Sequence, residues 1–169
     1  MQSGIYKSQK NNLKTWSINK TIYLLICFIS FAVFAQNDNK RIAQFNLEKK
    51  VAIQGYDPVA YFNQKKAVKG KKELVANYEG VIYQFSSVAN KDLFVKNAAS
   101  YEPQYGGWCA YAMGSSGEKV EINPETFKII DGKLFLFYNA YFNNTLKSWN
   151  KEEVSFKAKA DANWKKIIK

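Results

Sequence analysis

The stretch Thr126–Tyr138 (TFKIIDGKLFLFY) restricts the fold more than any other part of the chain. Thr126–Ile130 and Lys133–Tyr138 flank Asp131-Gly132, and both of these central residues tolerate the positive φ that a two-residue hairpin turn demands. A strand sends alternate side chains to opposite faces. With Ile129, Leu134, Phe135, Leu136 and Phe137 in place, both faces are apolar, which predicts a central pair covered from two sides. The composition can supply two apolar layers. Hydrophobic residues make up 47% and charged residues 23% of the chain, the balance of a globular protein and not of a disordered one.

Other elements follow from the same local rules. Leu74–Tyr78 and Val81–Phe85 alternate as strands, with Leu74, Ala76 and Tyr78 on one face and Val81, Tyr83 and Phe85 on the matching one. Glu79-Gly80 between them reads as a tight turn. Ser87 caps a helix over Val88–Asn97, with Leu93 and Phe94 as its core contacts. Asp57-Pro58 opens a short helix, Asp57 as cap and Pro58 in the first position. Phe142, Leu146 and Trp149 fall at helical spacing, as do Phe156, Ala160, Trp164, Ile167 and Ile168. The sum is an α+β fold, a small antiparallel sheet of hairpins packed against several helices in a single domain.

The N-terminal part has a different character. Lys7, Lys10, Lys14 and Lys20 precede an apolar run of 14 residues, Thr21–Phe34. Val33 and Ala35 then stand at the −3 and −1 positions of a cut before Gln36. This is the order of a secretory signal peptide. The run is shorter than the ~20 residues that span a bilayer, and no basic cluster follows at once, so no stable membrane anchor is expected after cleavage. Ile26 precedes Cys27 where lipidation wants a small residue. The expected organisation is a signal peptide at 1–35, a flexible polar lead-in at 36–46 and one domain at 47–169, in a periplasmic or secreted protein. Without the four leader lysines, 21 basic residues face 14 acidic ones, a net charge of +7. The dense run Lys65, Lys66, Lys69, Lys71 and Lys72 sits in a loop. With no recognisable module and an exported location, nucleic acid is not an expected partner, whereas an anionic envelope surface suits the charge.

The chain has no histidine. That excludes Ser-His-Asp and Cys-His catalysis and every histidine-ligated metal or haem. Cys27 leaves with the signal, so the mature chain holds the single thiol of Cys109. It sits in Tyr101–Met113 (YEPQYGGWCAYAM), which is dense in aromatics. If Trp108–Met113 is helical, Cys109 and Met113 lie at i and i+4 on one face. Two soft sulfur donors suit Cu(I) far better than zinc. Tyr105, Trp108 and Tyr111 would wall such a site or a small-ligand site, and Tyr56 or Asp57 would supply a third donor. The competing reading puts both sulfurs in an aromatic core. No residue is assigned a catalytic role, since a reactive thiolate would lack a histidine to assist it.

Five stretches resemble exported bacterial proteins of the YHS-domain family: Ala52–Phe62 (AIQGYDPVAYF), Tyr83–Phe94 (YQFSSVANKDLF), Tyr101–Ala112 (YEPQYGGWCAYA), Ile130–Tyr138 (IDGKLFLFY) and Lys159–Trp164 (KADANW). The resemblance implies a compact α+β fold and an association with metal handling, but no activity. It also implies a loss. Metal-binding relatives carry cysteines in a Tyr-x-Phe-Cys-x-x-x-Cys stretch, where this chain has Ser86 and Asn90, and Gln84 stands at the family's histidine. A hydroxyl and an amide are weak ligands for soft metals, so Ser86, Ser87 and Asn90 read as helix caps.

Three functional readings follow: a binding module for copper or a small ligand near Cys109, a structural or interaction domain without a small ligand, and a cysteine- or carboxylate-centred enzyme. For export, the expected outcome is a secreted form whose intact mass begins at Gln36; a mass that retains 1–35 overturns the cleavage reading.

Overall fold

The Asp131-Gly132 hairpin forms as its sequence demands, with φ of +51° and +69° at the two turn residues. The computed structural model describes residues 39 and 41–169; the signal-peptide expectation for 1–35 lies outside them. In chain order the strands are β1 (Leu47–Glu48), β2 (Val51–Ala52), β3 (Lys71–Tyr78), β4 (Val81–Phe85), β5 (Asn123–Ile130), β6 (Lys133–Phe137), β7 (Asn139–Ala140) and β8 (Asn143–Asn144). The helices are α1 (Ala60–Asn63), α2 (Val88–Lys96), α3 (Ala98–Tyr101), α4 (Ala110–Ser115), α5 (Thr145–Trp149) and α6 (Glu153–Ile167). The fold is α+β, as expected. One sheet has the order β1-β2-β4-β3; β5–β6 and β7–β8 are separate two-stranded ladders. All pairings are antiparallel except β2 with β4, where Val51 lies opposite Ile82.

The central strand is β6. Leu134, Phe135, Leu136 and Phe137 are all buried. Leu134 and Leu136 join an apolar cluster with Tyr61, Val81, Tyr83, Phe85, Phe94 and Cys109. Phe135 and Phe137, on the other face, join Tyr105, Met113, Trp149 and Ala160. The two-sided cover follows from this alternation. On the sheet side the β3–β4 register sets Ala76 opposite Tyr83 and Tyr78 opposite Val81, so the two apolar faces coincide. Ser87 caps α2 by accepting from the Asn90 N–H at 3.1 Å.

Four expectations differ from the structure. Leu93, expected as a core contact of α2, is exposed, because adjacent helical residues point about 100° apart and Phe94 takes the inward direction; Lys71 and Lys72, expected in a loop, open β3. Residues 41–46, expected within the loose lead-in, are docked. Arg41 Nη2 donates to Glu102 Oε1 at 2.6 Å, the Phe45 ring meets Trp164 edge-on at 6.1 Å, and Trp108 Nε1 donates to the Gln44 carbonyl at 2.7 Å. These partners lie far away in sequence, so local polarity does not reveal them. Phe142 does not belong to the helix that carries Leu146 and Trp149. The Asn144 side chain accepts from the Leu146 N–H at 3.1 Å and starts α5 at Thr145; Phe142 is left in the β7–β8 turn.

The α4 and α6 helices cross where α4 has no side chain. A Cβ on Gly114 would lie 2.5 Å from the Phe156 carbonyl oxygen. Glycine to alanine inside a helix ordinarily stabilises by roughly 0.5–1 kcal/mol. Here Gly114→Ala is expected to destabilise by about 1–3 kcal/mol, because backbone must shift to admit the methyl. A urea titration reads the sign directly, and a raised midpoint would refute the close crossing.

Candidate functional site

Asp57 is fully buried. Its Oδ1 accepts from the backbone N–H groups of Val59 at 2.9 Å and Ala60 at 3.4 Å, which caps the turn leading into α1. Its Oδ2 accepts from the Ser86 N–H at 2.7 Å, the Ser86 hydroxyl at 2.6 Å and the Asn90 amide at 2.7 Å. Ser86 and Asn90 therefore bring hydrogen-bond donors to a carboxylate. The expectation that these residues serve as caps is refined: Ser87 is the cap of α2, while Ser86 and Asn90 point back to Asp57.

Neighbouring Tyr56 is half-buried and faces elsewhere. Its ring lies under Lys69 Nζ at 4.6 Å, and its hydroxyl donates to Glu125 at 3.4 Å. Burial, then the Glu125 charge, raises the pKa of that phenol. Neither Tyr56 nor Asp57 is directed to Cys109.

Cys109 precedes α4 and is also fully buried. The Tyr138 N–H donates to its sulfur at 3.3 Å, and Thr145 Oγ1 lies 3.4 Å away. Since the Thr145 hydroxyl donates to the Tyr138 carbonyl at 2.9 Å, the thiol hydrogen is the one left to bridge Cys109 and Thr145. Above the thiol opens a cleft of about 360 Å³, lined by Tyr111, Ala112, Ser116, Val120, Tyr138 and Asn143 among others. Cys109 has no accessible surface, so the thiol lies beneath the lining of this cleft and is not an exposed nucleophile.

Of the residues singled out from sequence, the structure brings Cys109 and Tyr111 to this cleft. Met113 is buried in the cluster on the opposite face of β6, with Phe135 and Phe137. Tyr105 joins that same cluster and donates to Asp161 at 2.9 Å; its pKa is raised by burial and then by Asp161. Trp108 covers the docked lead-in, with Lys119 Nζ 5.8 Å from its ring. The expected Cys109–Met113 pair is thus divided by β6, and the two sulfurs do not form a donor set that fits Cu(I). Among the described residues no group of three or more His, Cys, Asp or Glu side chains is placed to hold a metal ion. Sequence reasoning missed Tyr138 and Thr145 as the two partners of the thiol: the sequence pattern marks Tyr138 only as the end of a strand, and no motif marks Thr145.

A second, partly buried carboxylate, Glu102, ties the docked lead-in to β4. Glu102 Oε1 accepts from Arg41 and from the Tyr83 hydroxyl, both at 2.6 Å. Burial first, then Glu102, pushes the Tyr83 phenol well above its ordinary range, so it remains a donor. Scans against family models, curated proteins and solved structures returned no match.

Asp57 supplies the test of this arrangement. In Asp57→Asn, one oxygen becomes an NH2 group facing donors, and whichever oxygen is replaced at least one of them is a backbone N–H that cannot turn away. The expected loss is roughly 3 kcal/mol. Ser86→Ala removes a side-chain donor while the backbone N–H stays, and is expected to cost about 1 kcal/mol. Denaturant unfolding of both variants checks the order; an Asp57→Asn midpoint equal to that of the parent overturns it.

Proposed function

We propose that the chain is an exported binding module of the YHS type, with the cleft over Cys109 as its ligand site. The observation that carries the reading is the cleft itself, about 360 Å³ with fully buried Cys109 beneath it. That volume lies within the range of small-molecule sites, roughly 300–1,000 Å³. Its wall combines apolar surface from Ala112, Val120 and the Tyr111 ring with hydrogen-bonding groups of Ser116, Asn143 and Thr145. Such a lining suits a small neutral ligand with one apolar face and one hydrogen-bonding edge. A soft metal fits less well, because the one sulfur near the cleft is fully buried and already engaged by Tyr138 and Thr145. The complete burial of Cys109 favours a second reading, a structural domain with no small ligand.

A fragment screen followed by backbone amide NMR separates the two. The binding reading expects shifts that cluster on Cys109, Tyr138 and Thr145. It also expects Ser116→Trp, an exposed cleft residue replaced by a bulky one, to weaken binding at least tenfold without lowering the melting temperature. Hits that scatter over the surface, or survive Ser116→Trp unchanged, sink it and leave the structural reading.

A further inference from the structure

We propose that the β7–β8 hairpin is an aromatic wedge that enters the interfacial layer of an anionic lipid bilayer. The hairpin pairs Asn139 with Asn144 and Ala140 with Asn143, so Tyr141 and Phe142 form the entire turn. Their φ angles are +50° and +64°. Turns of this geometry favour Asn and Gly, because an L side chain is strained at positive φ. Here both positions carry large rings, and both rings stand in water: Tyr141 is 92% exposed and Phe142 fully so. Packing within the described chain does not offset that strain or that exposure.

Three observations select a bilayer. First, Leu134–Leu146 is a run of 13 residues without a charge. The tip therefore enters the headgroup layer without burying an ion. Second, the rings are followed by exposed Asn143, whose short amide matches the hydrogen-bonding groups of that layer, where aromatic side chains also concentrate. Two projecting rings are little surface for a protein interface, which needs about 800 Å² on each partner. Shallow insertion needs only a small apolar wedge supported by charge attraction. Third, exposed Lys147 follows on α5, and the chain without its first 35 residues keeps a net charge of +7. Cationic attraction adds to insertion when the lipid is anionic. The inference does not rest on a ligand in the Cys109 cleft, although Asn143 borders both places.

The experiment places single tryptophans in the full chain. Phe142→Trp and Tyr141→Trp put the probe on the tip. Val154→Trp is the control, on a residue 85% exposed beside the Asp131 turn at the far end of the β5–β6 hairpin. Each variant is mixed with vesicles of phosphatidylglycerol and phosphatidylcholine containing brominated chains, and its emission is compared with that of the parent. The expected result is a blue shift and at least twofold quenching of the added tryptophan at positions 141 and 142. Position 154 should show neither, and the tip signal should weaken when phosphatidylglycerol is omitted. No added quenching at 141 and 142, or equal quenching at 154, overturns the proposal. Concentration-dependent dimerisation abolished by Tyr141→Asn with Phe142→Gly, a pair that suits the turn better and keeps the fold, would assign the tip to a second copy of the chain and also overturn it.

Discussion

A buried carboxylate must be surrounded by donors, and Asp57 meets that requirement with groups from two distant segments. Its Oδ1 holds the start of α1, and its Oδ2 holds the junction of β4 and α2. The segment before α1 is thereby tied to the end of β4, an inner strand of the four-stranded sheet. No cation is among these partners. The negative charge is spread over backbone and side-chain dipoles, a arrangement that works only while every donor keeps its direction. This gives Ser86 and Asn90 a positive role. A hydroxyl and an amide are poor ligands for a soft metal, but they are good donors to an oxygen anion.

The second constraint is β6, buried on both faces. It separates one apolar cluster from the other, and α4 runs beside it with Cys109 in one cluster and Met113 in the second. Helical spacing of i and i+4 brings two side chains to one side of an isolated helix. Cys109, however, is the residue before α4, with φ −58° and ψ +117°. Its side chain therefore leaves the backbone in a direction that the helical pattern does not describe. That departure from helical geometry separates a sulfur pair that looked adjacent by spacing.

The hairpins, the Ser87 cap and the long last helix were legible because each depends on residues close together in sequence. The two-faced burial of β6 was legible for the same reason: its alternation is local. The parts that were not legible depend on distance. Asp57 finds Ser86 and Asn90 some thirty positions away, and Cys109 finds Tyr138 and Thr145 about as far. The docking of residues 41–46 needs Glu102, Trp108 and Trp164 to be assembled first. The β7–β8 turn failed for another reason. Tyr-Phe lacks the Asn-Gly chemistry of a tight turn, and Phe142 happens to fall at helical spacing from Leu146.

Positive φ at bulky residues occurs in two settings here, and they differ in what holds it. Ile53, Gln54 and Gly55 form a left-handed turn with φ of +52°, +51° and +80°. A β-branched residue is strongly disfavoured there, yet Ile53 is buried in the main cluster and the Gln54 amide donates to the Ile122 carbonyl at 3.1 Å. A Cβ on Gly55 would lie 2.6 Å from Gln84 Oε1, so the turn is seated against β4 with no space to spare. Tyr105 and Gly106 repeat the pattern. The Tyr105 hydroxyl is held by Asp161, and Gly106 lies against Trp164 and Phe45. In both places surrounding structure over-determines a strained backbone, which is the condition for such strain to persist. Tyr141 and Phe142 have the strain without this support: the β7–β8 ladder sets their φ, and their rings touch solvent. The other exposed left-handed positions among the described residues, Lys49, Lys50, Lys65, Glu79 and the Asp131-Gly132 turn, carry charged side chains or glycine; only the β7–β8 turn sets two large rings at such positions in solvent, and that contrast is why the tip is read as built for contact outside the chain.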